Sequence, residues 1–231
     1  MKRILTIFVS LFAFGVVQSL RADVIADWTF ETSIPVAARG PGIWFTNIAP
    51  EIGLGTAAGF HAGPTVYTSP AGTGAGSTAH SFSSTNWTVG DFYQFAVSTA
   101  TNGGYFSGIS LSYNEMSSAT GPGRFQLSYS TDGLSFTSFG PLDILPSATY
   151  TNYSYNLSSI TAIENQAVVY FRVTDQSTTS ANFGTVGTAG TDRIDNFLVS
   201  GTFVPIPEPS TMAMALCGFL TLGLSIFRNR K

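Results

Sequence analysis

The chain has 231 residues, of which 44% are hydrophobic, 13% aromatic and only 10% charged. This length favours one large domain over two small ones. Between Asp23 and Pro207 there are twelve acidic residues, four arginines and no lysine, a net charge of −8. An acidic body without lysine is poorly suited to a phosphate backbone, so we expect no nucleic acid partner.

The chain opens with the pattern of a secretory signal peptide. Lys2 and Arg3 give a positive start, the apolar stretch ILTIFVSLFAFGVV follows, and QSLRA supplies small residues for cleavage. We predict a signal peptide over residues 1–22, cleaved after Ala22. Cleavage after Ser19 and a retained N-terminal anchor are the alternatives. The apolar stretch is shorter than the ~20 residues that a membrane span needs, which favours cleavage.

Residues 23–203 alternate apolar and polar side chains, a pattern typical of half-buried antiparallel strands. In VIADWTF the alternation places Val24, Ala26, Trp28 and Phe30 on one face, and the pattern recurs in ISLSY, FQLSYS, TNYSYNL and AVVYFRV. Helix formers are scarce. We therefore predict an all-β domain, an antiparallel β-sandwich of jelly-roll type with about nine or ten short strands.

Local signals add turns and loops to this body. Asp132-Gly133, between FQLSYS and SFTSF, predicts a hairpin. The stretch LSSITAIEN predicts one helical turn, because its apolar residues recur three apart. The Gly- and Ala-rich residues 53–77 are expected to form long loops around one short strand near Thr65–Thr68. Residues 177–191 are expected to form another polar, Gly-rich loop.

The order of the strands over residues 103–203 resembles that of jelly-roll domains in bacterial surface proteins. The stretch runs strand, strand, Asp-Gly hairpin, crossing turn and core strand. A closing strand with Arg193-Ile194-Asp195-Asn196 completes it. The resemblance implies a galactose-binding-like or lectin-like sandwich, a class in which many domains bind glycans.

The chain ends on a Pro-rich segment, an apolar run and a basic tail. The alternating prolines of VPIPEPS should end any strand near Phe203 or Val204. The run TMAMALCGFLTLGLSIF carries no charge, and as a transmembrane helix over about residues 211–227 it would span ~25 Å. Three basic residues follow, which we expect to stay in the cytoplasm: Arg228, Arg230 and Lys231.

Residues 204–231 resemble a PEP-CTERM sorting signal, because IPEPST, the apolar run and RNRK occur in that order behind an exported body. The resemblance implies that an exosortase, a membrane transpeptidase, recognises Pro207, Glu208 and Pro209. It also implies that the tail is removed and that the protein leaves the inner membrane for the cell envelope, the surface or an extracellular exopolysaccharide matrix. The alternative is a plain C-terminal membrane anchor.

No catalytic motif emerges from the body. His61 and His80 have no paired ligand at metal spacing, and neither a phosphate-binding loop nor a Gly-x-Ser-x-Gly elbow is found. Cys217, the only cysteine, lies in the apolar tail. We therefore expect a non-catalytic envelope or matrix protein that is structural or adhesive and associated with exopolysaccharide. A glycoside-active enzyme is the least favoured alternative, because it needs two carboxylates across a cleft.

The tryptophans suggest a second function. Trp28 is in phase with the core face of its strand, whereas Trp44 and Trp87 border loops. Exposed aromatic rings stack on sugar rings. The alternative function is therefore a carbohydrate-binding module that uses Trp44 and Trp87, although a packing role for both stays open.

Four carboxylates form a candidate structural Ca²⁺ site: Asp27, Glu31, Asp192 and Asp195. Asp27 and Glu31 project from one face of the first strand, and the other two open the last strand. In jelly-roll modules that bind calcium, the resemblance implies that these strands lie close together. Ca²⁺ prefers hard oxygen ligands, which carboxylates supply. The alternatives are solvated carboxylates and an inward-facing Asp195 paired with an arginine; no other cofactor is expected.

Overall fold

The computed structural model describes residues 22–73, 80–144 and 148–206. These residues form sixteen strands and one 3-10 turn, Thr161–Ile163. The strands are β1 Asp23–Trp28, β2 Ala37–Arg39, β3 Phe45–Ile48, β4 Ile52–Gly53, β5 Gly55–Phe60, β6 Thr65–Thr68, β7 Phe82–Thr85, β8 Phe92–Val97, β9 Ala100–Thr101, β10 Gly104–Ser117, β11 Arg124–Ser130, β12 Thr137–Ser138, β13 Asp143–Ile144, β14 Thr151–Asn156, β15 Val169–Asp175 and β16 Thr191–Pro205.

The strands form two antiparallel sheets that pack face to face. One has nine strands in the order β14-β10-β16-β7-β6-β2, with β1 on β16, β4 on β1 and β9 on β10. The other has seven strands in the order β12-β11-β15-β8-β5-β3, with β13 on β11. The prediction of an all-β antiparallel sandwich is confirmed. The described part of the chain has more strands than predicted, because five of them are only two or three residues long.

Aromatic side chains from both sheets fill the core. The rings of Phe95 on β8 and Phe197 on β16 stack 3.5 Å apart, and the Trp28 ring meets the Phe95 ring edge-on at 5.2 Å. All three side chains are fully buried, and Trp28 Nε1 donates a hydrogen bond to the carbonyl of Ile48. Each buried ring of this size contributes a few kcal/mol through lost apolar surface, on the order of 25 cal/mol per Å².

The first strand departs from its predicted face pattern. Its register with β16 shifts between Val24 and Ala26, where one residue is added. Such a bulge reverses the alternation. Ile25 is therefore buried and Val24 is 43% exposed, while Ala26 and Trp28 lie in the core as predicted.

The strand β5 lies where the sequence predicts a loop. A Cβ on Gly55 would lie 2.8 Å from the Trp28 ring, and a Cβ on Gly59 would lie 2.6 Å from the Tyr67 ring. Small residues are needed here because two large core rings pack directly on this strand. The composition that suggests a loop therefore reflects close packing on a strand.

Other local predictions are confirmed with shifted boundaries. The predicted short strand coincides with β6, and the helical turn is the 3-10 turn. The Asp-Gly hairpin joins β11 to β12, with φ +73° at Gly133. The strand β16 extends to Pro205, one residue beyond the predicted limit, and pairs there with Gly104.

No helix in the described ranges is long and apolar enough to cross a bilayer. The predicted span over residues 211–227, the signal peptide and the sorting motif with its basic tail lie outside those ranges.

Candidate functional site

The outer face of the seven-stranded sheet carries a cluster of aromatic rings. In β8 and β15 the odd-numbered residues point into the core, so Phe92, Gln94 and Arg172 point outward. Phe60, at the end of β5, lies opposite Phe92, and their rings stack with centroids 5.3 Å apart. Trp44, in the loop before β3, packs on both rings, at 5.4 Å from Phe60 and 5.2 Å from Phe92.

Arg172 lies at the centre of this cluster. Its guanidinium carbon is 3.9 Å from the Phe92 ring centroid and 3.7 Å from the Phe136 ring centroid, on the loop after β11. Its Nε donates a 2.8 Å hydrogen bond to Gln94 Oε1. Burial lowers the pKa of Arg172 to about 10, so the group remains charged at neutral pH. Trp44, Phe60, Phe92, Phe136 and Arg172 together form the aromatic–arginine surface.

This surface combines an accessible apolar ring with hydrogen-bond donors beside it. Trp44 is 37% exposed, unlike the core rings. A sugar ring presents a C–H face that packs on an aromatic ring and hydroxyl groups that need polar partners, which Gln94 and Arg172 offer. A depression of about 450 Å³ elsewhere on the protein, beside Arg39 and Asn86, has no aromatic ring in its lining.

Trp87 does not lie on the protein surface. It is 4% exposed, its Nε1 donates to the Ser84 carbonyl at 3.0 Å, and its ring packs edge-on against His61 and Tyr93. The exposure that sugar stacking requires is absent, so the prediction of Trp87 as a glycan-binding residue is wrong. Its packing alternative describes it correctly.

The four carboxylates of the predicted Ca²⁺ site do not come together. Asp192 is fully buried at the inner side of β16. Asp195 lies further along β16, on the opposite face of the strand from the core residue Ile194. Its carboxylate accepts a 2.8 Å hydrogen bond from the Thr73 N–H. In the described ranges no group of three or more His, Cys, Asp or Glu residues is arranged to hold a metal ion.

The other two carboxylates lie in different surroundings. Glu31 accepts a 3.0 Å hydrogen bond from the His80 N–H. Asp27 is partly buried on β1, and burial followed by repulsion from Glu51 raises its pKa. Burial, with a smaller contribution from Glu31, raises the pKa of Asp195 to about 6, so these two carboxylates interact across strands. The four do not form one group, because strand parity alone does not place side chains from different strands.

Asp192 instead belongs to a cluster of buried acids that sequence reasoning missed. Glu115, Asp143, Asp175 and Asp192 are at most 3% exposed. Tyr113 and Tyr155 donate hydrogen bonds to the Asp143 carboxylate. The Glu115 and Asp192 side-chain oxygens have no hydrogen-bond partner among the described residues. Burial, followed by repulsion from the other acids, raises the pKa of Glu115 and Asp192 well above the usual range.

A buried Ser84–His61–Asp91 chain has the connectivity of a hydrolase triad. Ser84 Oγ lies 3.0 Å from His61 Nε2, and His61 Nδ1 lies 3.0 Å from Asp91 Oδ2. All three residues are fully buried, and Ser84 Oγ also contacts Tyr93 Oη at 3.1 Å. The Ser84 hydroxyl is therefore shielded from any substrate by the described residues. We assign the Ser84–His61–Asp91 hydrogen-bond chain to core packing.

Of the comparisons with known proteins, the one with solved structures finds similar proteins. No protein-family profile and no curated protein matches the chain. Similar structures include the CBM22-2 xylan-binding domain of Paenibacillus barcinonensis Xyn10C (11% identity, 77% of this chain and 99% of that chain, TM-score 0.40). A xylan-binding domain from CBM 22 matches at 16% identity, over 79% and 97% of the chains, with a TM-score of 0.42.

A third similar structure is described as a carbohydrate-binding module of the β-sandwich superfamily with promiscuous specificity. It matches at 10% identity, over 75% of this chain and 61% of that chain, with a TM-score of 0.39. These three similar structures are described as xylan-binding or carbohydrate-binding domains. At these identities and TM-scores the likeness assigns neither a family nor a ligand to this chain.

Proposed function

We propose that this protein is an exported, non-catalytic glycan-binding protein, and that its aromatic–arginine surface contacts the polysaccharide. The observation that supports it is the exposed Trp44 ring, packed on Phe60 and Phe92 and lying beside a charged arginine. This composition is unusual for the solvent side of a sheet, where polar side chains are expected. An adhesive or structural role in the matrix would follow from such binding.

Packing fixes the geometry of this surface before any ligand arrives. Phe92 is 7% exposed, because Phe60, Trp44 and Arg172 cover its ring. The Trp44 indole therefore rests on a packed layer, although it lies on a loop. A preorganised ring loses little conformational freedom when a sugar binds, which favours affinity.

We further propose that the ends of the chain direct this body to the envelope. Residues 1–22 would be removed on export, and residues 204–231 would hold the chain in the inner membrane until an exosortase acts on Pro207-Glu208-Pro209. The intact mass of the exported protein tests this proposal. We expect a C-terminus near Pro207-Glu208-Pro209. A C-terminus at Lys231 would contradict processing.

A glycan array probed with the full chain in detergent micelles tests the binding proposal. We expect saturable binding to at least one polysaccharide, weakened several-fold by Trp44→Ala because ring stacking is lost. Phe203→Ala is the matched control, since Phe203 is also 37% exposed but lies on the nine-stranded sheet. An array with no saturable binding, or equal losses in the two variants, would contradict the proposal.

A further inference from the structure

Two aromatic rings pack against the Arg172 guanidinium. Its central carbon lies 3.9 Å from the Phe92 ring centroid and 3.7 Å from the Phe136 ring centroid. The Nε–H is engaged by Gln94 Oε1. The terminal N–H groups have no hydrogen-bond partner within the described residues. Because these donors lie in the guanidinium plane, they can meet a planar acceptor at the edge.

We infer that the aromatic–arginine surface selects sugars that carry a carboxylate, that is, uronic acid residues, and that Arg172 binds this carboxylate. The inference rests on the proposed function and names the ligand class for the same surface. The two oxygens of a carboxylate match the guanidinium fork and form charge-assisted hydrogen bonds. A neutral sugar hydroxyl accepts fewer and weaker hydrogen bonds there.

The local charges favour this ligand. Arg172 forms no ion pair with any carboxylate of the described residues. Among those residues, the contact between basic and acidic side chains within 4 Å is the one between His61 and Asp91. Burial is the cause of its lowered pKa, and no charged neighbour contributes. A half-buried cation without a counterion is costly, and a ligand carboxylate would supply the missing partner.

The net charge of −8 on the body repels an anionic ligand. This long-range repulsion must be compared with the direct attraction between Arg172 and the carboxylate. At physiological ionic strength, exposed charges separated by more than ~8 Å are largely screened. A direct contact of about 3 Å between Arg172 and a carboxylate lies well inside this distance, and its surroundings are partly desolvated by aromatic rings. Direct pairing therefore outweighs the distant repulsion.

Calorimetric titration of the full chain in detergent micelles tests this with two matched pairs of sugars. One pair is cellohexaose and the β-1,4-linked glucuronic acid hexamer, which differ at C6. The other is the galacturonic acid hexamer and its methyl ester. We expect the acidic member of at least one pair to bind about tenfold more tightly or better, as charge-assisted hydrogen bonds predict.

Arg172→Gln should abolish this preference, because the affinity for the acidic sugar falls further than the affinity for the neutral one. An unchanged near-UV circular dichroism spectrum of the variant reports an intact fold. Arg172→Lys keeps the charge without the fork and should retain part of the preference. Arg39→Gln is the control, because Arg39 also lies over a ring, that of Phe45, but belongs to the nine-stranded sheet. It should leave the preference unchanged.

The outcomes separate this inference from the proposed function. Equal binding of acidic and neutral sugars, a preference that survives Arg172→Gln, or a preference lost in Arg39→Gln would overturn the inference alone. If neutral glycans bind and no uronate-containing glycan binds, the inference alone would also be overturned. Failure of every sugar, here and on the glycan array, would overturn both.

Discussion

Asp91 illustrates how a single buried charge is satisfied in this sandwich. Its Oδ1 accepts a 2.7 Å hydrogen bond from the Ala62 N–H, and its Oδ2 accepts one of 2.8 Å from the Thr88 N–H. Oδ2 also lies 3.0 Å from His61 Nδ1. Burial acts to raise the pKa of Asp91, but these hydrogen bonds outweigh it and leave the pKa below its ordinary value. The residue joins two loops to the core.

We expect Asp91→Asn to lower the free energy of unfolding by about 2–3 kcal/mol, because it leaves buried donors without a charged acceptor. Urea denaturation of the full chain in micelles measures this. Asp132→Asn is the control, because Asp132 also accepts hydrogen bonds from backbone N–H groups, those of Leu134 and Ser135, but lies at the surface. A loss no larger for Asp91 than for the control would refute this role.

Strands show which parts of the fold are encoded locally. The alternation in FQLSYS and AVVYFRV predicted β11 and β15 correctly, because period-two patterning depends only on neighbours in sequence. The strand β5 could not be recognised in this way. Its glycines are dictated by rings that approach from β1 and β6, which the sequence of β5 does not reveal.

Gly59→Ala tests this reading of β5. The added Cβ would lie 2.6 Å from the fully buried Tyr67 ring, so we expect a loss of about 1–3 kcal/mol from overpacking. Gly103→Ala serves as the control, since nothing lies within 4 Å of its Cβ position. Thermal unfolding of both variants measures the difference. Equal melting temperatures would show that β5 tolerates a side chain at this position.

The candidate surface was only partly predictable for the same reason. Trp44 was identified from its place beside a loop, but Phe92 and Arg172 were not. The outward direction of Arg172 could be suspected from its alternation with Phe171 and Val173. Its position beside Phe92 depends on the pairing of β8 with β15, more than seventy residues apart. Long-range register is the information that a single sequence lacks.

At the scale of the whole molecule, the acidic charge is distributed between surface and interior. Four of the twelve acids of the body form the buried cluster of Glu115, Asp143, Asp175 and Asp192. Burial raises the pKa of Asp175 to about 7, with a smaller contribution from Asp91. At neutral pH the interior therefore retains protons that an unfolded chain would release.

This retention predicts that the protein is more stable at pH 5 than at pH 8. The folded state of a group with a raised pKa binds protons more tightly, so its stabilisation is complete below the unfolded pKa and is lost as the pH rises through the folded value. For Asp175 the loss develops between about pH 4 and pH 7 and amounts to a few kcal/mol, since one pKa unit corresponds to ~1.4 kcal/mol.

Differential scanning calorimetry of the full chain in micelles should give a higher melting temperature at pH 5 than at pH 8. Asp175→Asn keeps an acceptor for the Ser177 N–H but cannot ionise, so its melting temperature should depend less on pH. A melting temperature that falls steadily from pH 8 to pH 5 would contradict the buried, protonated cluster.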